Sequence, residues 1–114
     1  MSNCLFCKMI SGEIKPDTVY ENDSVLAFRD INPQAPTHVL IIPKQHISTI
    51  NDFDSSHRQL IGDLYLAAKE IANAEDIDEQ GYRTVMNCNA DAGQTVFHIH
   101  LHLLGGRHLS WPPG

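Results

Sequence analysis

The sequence predicts an α+β domain: a five-stranded antiparallel sheet with one long and one short helix. Three observations predict it. Short apolar and β-branched runs recur with brief connections between them. One stretch alone, residues 56–74, repeats apolar side chains at helical spacing over a long span. Near the C-terminus the pattern alternates strictly, His98-Ile99-His100-Leu101-His102, and runs on into Leu103 and Leu104. Strands joined by short connections pair antiparallel, because a parallel pair needs a long crossover.

In chain order, residues 5–10 form a short helix that ends around Ser11-Gly12. Residues 18–20 give the first strand and 25–30 the second. The segment Ile31-Asn32-Pro33-Gln34-Ala35-Pro36 is a rigid connection, since two prolines fix backbone angles and remove two donors. Residues 37–42 read as a buried third strand stopped by Pro43. The long helix, 56–74, carries Leu60, Ile61, Leu64, Ala67, Ala68 and Ile71 on its inner face, and Ser56 with Gln59 matches a capping box at its start. Gly81 makes a turn, residues 82–87 a fourth strand and 89–93 a loop; the histidine-bearing segment is the fifth strand. The 114 residues fit a single domain, with no internal repeat or linker.

Composition narrows the function. A hydrophobic fraction of 42% and a charged fraction of 19% are those of a folded, soluble chain. The net charge of −6 argues against nucleic acid as a partner, because a polyanion needs a basic surface. No apolar run reaches the roughly 20 residues that span a bilayer, and no secretory leader is legible, so no membrane partner and a cytoplasmic location are expected. Cys4, Cys7 and Cys88 are an odd set for a disulfide framework and fit a reducing compartment.

In a strand, His98, His100 and His102 project to one side while Ile99, Leu101 and Leu103 pack behind. Repulsion among three such rings would depress their titrations and keep at least one neutral near pH 7. A neutral imidazole can attack an electrophile or bind a metal, and spacing alone does not choose between them. Cys4 and Cys7, with two residues between them, could grip one metal or remain free thiols; Cys88 reads as a buried small residue.

The run His98 to Leu104 resembles the signature of the histidine triad (HIT) family. The likeness extends to Phe28-Arg29-Asp30-Ile31-Asn32-Pro33-Gln34-Ala35-Pro36-Thr37-His38, to Ile42-Pro43-Lys44, to Asp91-Ala92-Gly93-Gln94-Thr95-Val96-Phe97, and to Gly105-Gly106-Arg107 through Trp111-Pro112-Pro113-Gly114. These stretches resemble the histidine triad nucleotide-binding (Hint) branch over nearly the whole chain. The resemblance implies a HIT-like fold joined across a homodimer, with residues 105–114 as a C-terminal interface segment. It implies hydrolysis of purine nucleoside phosphoramidates, of the adenosine 5′-phosphoramidate type, through a covalent nucleotidyl-histidine, with an AMP- or GMP-type nucleotide as the bound partner and no organic cofactor.

Carried over residue by residue, His100 is the nucleophile, His102 meets the phosphate and leaving group, His38 supports the nucleophile, and His98 completes the catalytic set. A related transferase branch carries glutamine where this chain has His102, which favours a hydrolase. Asp30 matches the carboxylate that binds the ribose hydroxyls. Phe28 and Ile31 match the apolar walls around the base, with Phe6 and Met9 as either further wall or plain core. Asn87, Gly93 and Thr95 match positions near the ribose and α-phosphate, with threonine where the branch commonly has serine.

Some HIT proteins with a cysteine pair complete a structural zinc site with a histidine after the Pro-Lys turn and the first triad histidine. Those four are Cys4, Cys7, His46 and His98, although Hint relatives generally lack the cysteines. Alternatives to the phosphoramidase reading are a dinucleoside polyphosphate hydrolase of the same family and a nucleotide-binding regulatory or scaffold protein.

Overall fold

The segment Thr37–Pro43 is apolar at nearly every position and is buried along its whole length, so it must lie in the middle of the sheet and be covered on both faces. The structure, a computed structural model, describes residues 3–114. Its elements are α1 (Leu5–Ile10), β1 (Thr18–Glu21), β2 (Val25–Arg29), β3 (Thr37–Pro43), α2 (Arg58–Ala74), β4 (Tyr82–Val85) and β5 (Leu101–Gly105), with short 3-10 turns at Ile50–Asp52, Ser55–His57 and Ala90–Ala92. The strands form one antiparallel sheet in the order β1-β2-β3-β5-β4, with β3 central. None of the helices among the described residues is long and apolar enough to cross a membrane.

The two faces of this sheet have separate jobs. Val25, Ala27, Val39, Ile41, Leu101 and Leu103 point to one side and pack under Leu64, Ala67, Ala68, Ile71 and Ala72 of α2. Each fully buried valine, leucine or isoleucine there contributes about 1.5–3 kcal/mol relative to exposure. Leu26, Phe28, Leu40 and Ile42 point to the other side and are covered by Phe6 of α1. The register aligns Phe28 with Leu40 and Leu40 with His102, so the histidine continues the row that α1 covers. At the far end Arg29 clamps Glu75 through two hydrogen bonds of 3.0 and 2.9 Å, joining the end of β2 to the C-terminus of α2.

Several expectations need correction. The strand carrying the histidines begins only at Leu101, so His98 and His100 precede it. Their alternation survives because Ile99 is drawn into the α2-side core, which fixes the flanking residues on the opposite side. The capping box at Ser56 and Gln59 does not form. Instead Asp54 caps the preceding 3-10 turn, with its carboxylate 2.8 Å from the Ser56 N–H, and α2 starts at Arg58 behind it. The fourth strand ends at Val85, where its ladder to β5 stops at the Val85–His102 pair. Cys88 is half-buried.

Gly105 and Gly106 stand after His102 for steric reasons. A Cβ on Gly105 would stand 2.6 Å from Ile77 Cδ1, and one on Gly106 would stand 2.9 Å from Pro36 Cβ. Gly106 also adopts φ +91, which side-chain-bearing residues avoid.

Candidate active site

The catalytic candidates meet where β3 and β5 lie side by side. His38 and His102 are diagonal neighbours across this pair, a separation long side chains bridge. Their rings touch, with His38 Nε2 2.9 Å from His102 Nδ1. The backbone decides which atom donates. The Gln34 N–H points to His38 Nδ1 at 3.0 Å, so that nitrogen accepts and the proton of His38 sits on Nε2, which donates to His102. The remaining proton of a neutral His102 then sits on its Nε2. Asp30 closes the group, with Oδ2 3.5 Å from His38 Nε2 and Oδ1 accepting the Asn32 N–H at 2.8 Å.

His100 is fixed by the same logic. Its Nδ1 lies 2.9 Å from the His98 carbonyl oxygen, so it must donate, and a neutral ring keeps its lone pair on Nε2. The ring is 8% exposed, with its centroid 5.1 Å from that of His102. Phe6 packs edge-on against it at 5.1 Å. A buried imidazole with an uncommitted nitrogen is a nucleophile in waiting.

Burial keeps these rings neutral. It pushes the pKa of His38, His98 and His100 down; Asp30 pulls back at His38 and His100, while at His98 and His100 the main opposing effect is hydrogen bonding to a backbone carbonyl. For His102 burial, followed by repulsion from His100 and His38, lowers the value to about 4. Repulsion among the three rings is thus the lesser cause and desolvation the greater.

On the same side, four donors converge below α1. Cys4, Cys7, His46 and His98 place one ligand atom each within 4.8 Å of one another. His98 Nδ1 is 3.4 Å from Cys4 Sγ, 3.7 Å from Cys7 Sγ and 3.1 Å from His46 Nδ1, and Cys7 Sγ is 3.4 Å from His46 Nδ1. A tetrahedral zinc with ordinary bond lengths has donor separations of about 3.3 Å between nitrogens and about 3.6 Å between nitrogen and sulfur. The donor chemistry fits as well, because His98 Nε2–H donates to the Pro43 carbonyl at 2.8 Å and leaves Nδ1 with its lone pair turned to the cysteines.

The family model described as "HIT domain" matches residues 11–109. The chain belongs to the HIT family. It is 54% identical over 105 residues to the purine nucleoside phosphoramidase of Escherichia coli K12, covering 92% of this chain and 88% of that protein. It is 49% identical to the 14 kDa zinc-binding protein of Zea mays over 99% of this chain and 89% of that one. Among solved structures, a HIT family hydrolase from Legionella pneumophila Philadelphia 1 superposes with a TM-score of 0.97 at 57% identity, covering 98% of this chain and all of that one.

The remaining candidates of this HIT domain are more dispersed. Phe28 is buried against Phe6 at a centroid distance of 5.5 Å, whereas Ile31 is fully exposed on the connection after β2. Met9 packs at the edge of the α1-side core. Asn87 is half-buried beyond the end of β4, and Gly93 holds φ +91 after the 3-10 turn. Thr95 lines a cleft of about 400 Å³ with Asn3, Cys4, Leu5, Val96 and Phe97, which connects the loop to the cysteine cluster.

Sequence reasoning passed over Gln94. It is buried, accepts the Asn89 N–H at 2.8 Å, and donates to the carbonyls of Ser48 and Val96 at 2.8 and 3.1 Å, so it pins the loop that carries Gly93 and Thr95. A glutamine between a glycine and a threonine was its only signal. The backbone groups that set the tautomers, Gln34 N–H and the carbonyls of Pro43 and His98, have no side-chain signal at all.

The pH dependence of stability follows from the neutral rings. An unfolded histidine binds its proton near pH 6.5, whereas folded His102 does so only at about 4. Between those values the unfolded chain carries the extra proton, so stability is full above about pH 6.5 and falls as pH drops toward 4. Melting temperatures should decline across this window, and the His102 ring resonances should have a midpoint well below 6. A midpoint near 6.5 would contradict the burial argument.

Proposed function

We propose that this HIT domain hydrolyses purine nucleoside phosphoramidates through a nucleotide carried transiently on His100. The observation that carries this reading is the His100 ring, whose Nδ1 proton is committed to the His98 carbonyl while Nε2 is left free. The domain's 54% identity to a purine nucleoside phosphoramidase supports phosphorus as the electrophile. Nε2 attacks the α-phosphorus, a bond forms between nitrogen and phosphorus, and the bond to the amine breaks.

His102 supplies the proton that the amine takes. Neutral in the free protein, it gains proton affinity when an anionic phosphate arrives beside it; a proton from solvent goes to Nδ1, the His38 N–H passes to Asp30, and substrate binding thereby creates the acid. Water then attacks phosphorus, His102 accepts its proton, and His100 departs with its lone pair restored. His38, held by the Gln34 N–H, keeps the proton of His102 on the outward Nε2.

Asp30 accepts hydrogen bonds from the ribose hydroxyls, Ile31 gives the base an exposed apolar surface, and Phe28 lies beneath the same sheet face. Asn87, Gly93 and Thr95 approach the sugar and phosphate from the loop. Cys4, Cys7, His46 and His98 hold a structural zinc whose part is to cross-link α1 to the histidine segment, with no step of the reaction on it. Two chains pair through the open edge of β4 and the segment 105–114, where Tyr82 and Trp111 are 39% and 80% exposed. The working location is the cytoplasm.

The test compares adenosine 5′-phosphoramidate with a diadenosine polyphosphate. The phosphoramidate should turn over with the higher kcat/KM; the reverse order would make this a polyphosphate hydrolase. Asp30→Ala should raise KM about tenfold or more for the ribonucleotide, the cost of losing hydrogen bonds to a charged acceptor. The 2′-deoxy analogue should lose less. Equal losses on both would remove Asp30 from ribose recognition.

A further inference from the structure

We propose that the Cys4–Cys7–His46–His98 cluster, when it holds its metal, is what keeps His100 in its attacking tautomer, which makes the four ligands positioning residues for turnover. This rests on His100 being the nucleophile. The link is a single peptide plane, the one between His98 and Ile99. Its carbonyl accepts the His100 Nδ1 proton at 2.9 Å, and its N–H donates to the Ile47 carbonyl at 2.8 Å. His98 is a ligand, and Ile47 directly follows the ligand His46.

Sheet pairing does not hold this plane, because β5 starts at Leu101. Its orientation therefore depends on the ring of His98, anchored by Pro43 on one nitrogen and by the cluster on the other, and on the chain at His46-Ile47. The cysteines act through a second contact. Phe6 lies between them in sequence and packs edge-on against both His98 and His100, at 5.8 and 5.1 Å. Metal bound to Cys4 and Cys7 ties down α1 and so presses Phe6 against the nucleophile's ring.

The consequence is chemical. A histidine that loses its carbonyl partner carries its proton on either nitrogen, and with the proton on Nε2 the attacking lone pair is gone. Removing the metal frees the ring of His98 and the helix bearing Phe6 together. Some His100 then adopts the wrong tautomer while the sheet stays intact.

The experiment records long-range proton–nitrogen spectra of the full chain with ¹⁵N-labelled histidine, as the zinc-loaded protein, after stripping by a chelator, and after Zn²⁺ is added back. Loaded protein should show His100 as one tautomer with its proton on Nδ1, and stripped protein a mixture that zinc reverses. In parallel, kcat should fall roughly tenfold on stripping, the size seen when supporting partners are lost, with KM changed by less than about twofold. Cys4→Ser should reproduce the stripped spectrum at any zinc concentration; if that variant does not fold, stripping and restoring the unaltered chain decides. An unchanged His100 pattern in metal-free protein, with only the melting temperature lowered, would overturn the proposal, as would a protein that takes up no zinc. The spectrum needs no substrate, so the result stands apart from whether phosphoramidates are hydrolysed.

Discussion

His100→Ala should lower kcat for adenosine 5′-phosphoramidate by at least about 10⁴-fold, the scale on which removing a nucleophile acts, and should lower the melting temperature by less than Leu103→Ala does. The ring sits at the border of the core and the site, 8% exposed, and its one backbone bond goes to a neighbouring carbonyl, so little of the fold depends on it. His102→Ala should cost less, about 10²–10⁴-fold, since it removes a proton donor and not the attacking atom. Rapid quenching with labelled substrate should place the nucleotide on the peptide that contains His100. Label on any other residue, or a His100→Ala protein that still turns over at the original rate, would refute covalent catalysis at this position. If His100→Ala keeps nucleotide affinity and rescues the cellular phenotype, the regulatory binding role becomes the better account.

Leu103→Ala should do the opposite. Leu103 is fully buried next to His102, on the α2 side of β5, opposite Val39 and Thr84. Truncation leaves a cavity in a close-packed interior and should cost roughly 3 kcal/mol, about 12 °C in Tm for a chain of this size. Well below that Tm, kcat should stay within about twofold, because the side chain faces away from the site. Thermal melts and steady-state rates on His102→Ala and Leu103→Ala check the division of labour along one strand: adjacent residues, one carrying stability and the other chemistry. A Leu103→Ala protein with full stability but poor turnover would mean that the two faces are not independent.

Much of this division was legible beforehand, because alternation in a sequence is a direct record of sidedness. Ile99, Leu101 and Leu103 read as the packed side, and all three are buried there. The residues of α2 that recur at helical spacing include Leu64, Ala67, Ala68 and Ile71, which form its inner face. Boundaries were less legible. The start of α2 moved to Arg58 because Asp54 captured the preceding turn, a competition between two nearby caps that composition does not rank. The start of β5 moved to Leu101 because its ladder to β3 runs only as far as the Ile41–Leu101 pair, and that pairing is made with residues far away in the chain.

The sequence by itself determined the α+β class, the side on which the histidines stand and the identity of the residues able to attack, donate or ligate, since these depend on side-chain chemistry and on spacing along one segment. Only the tertiary structure decided which nitrogen of each ring carries the proton, why the rings are neutral, and that four side chains able to ligate a metal converge from three separate segments. Those properties are set by burial and by backbone carbonyls and amides brought from elsewhere in the chain, such as Pro43 to His98 and Gln34 to His38, and a peptide group writes no letter into the sequence.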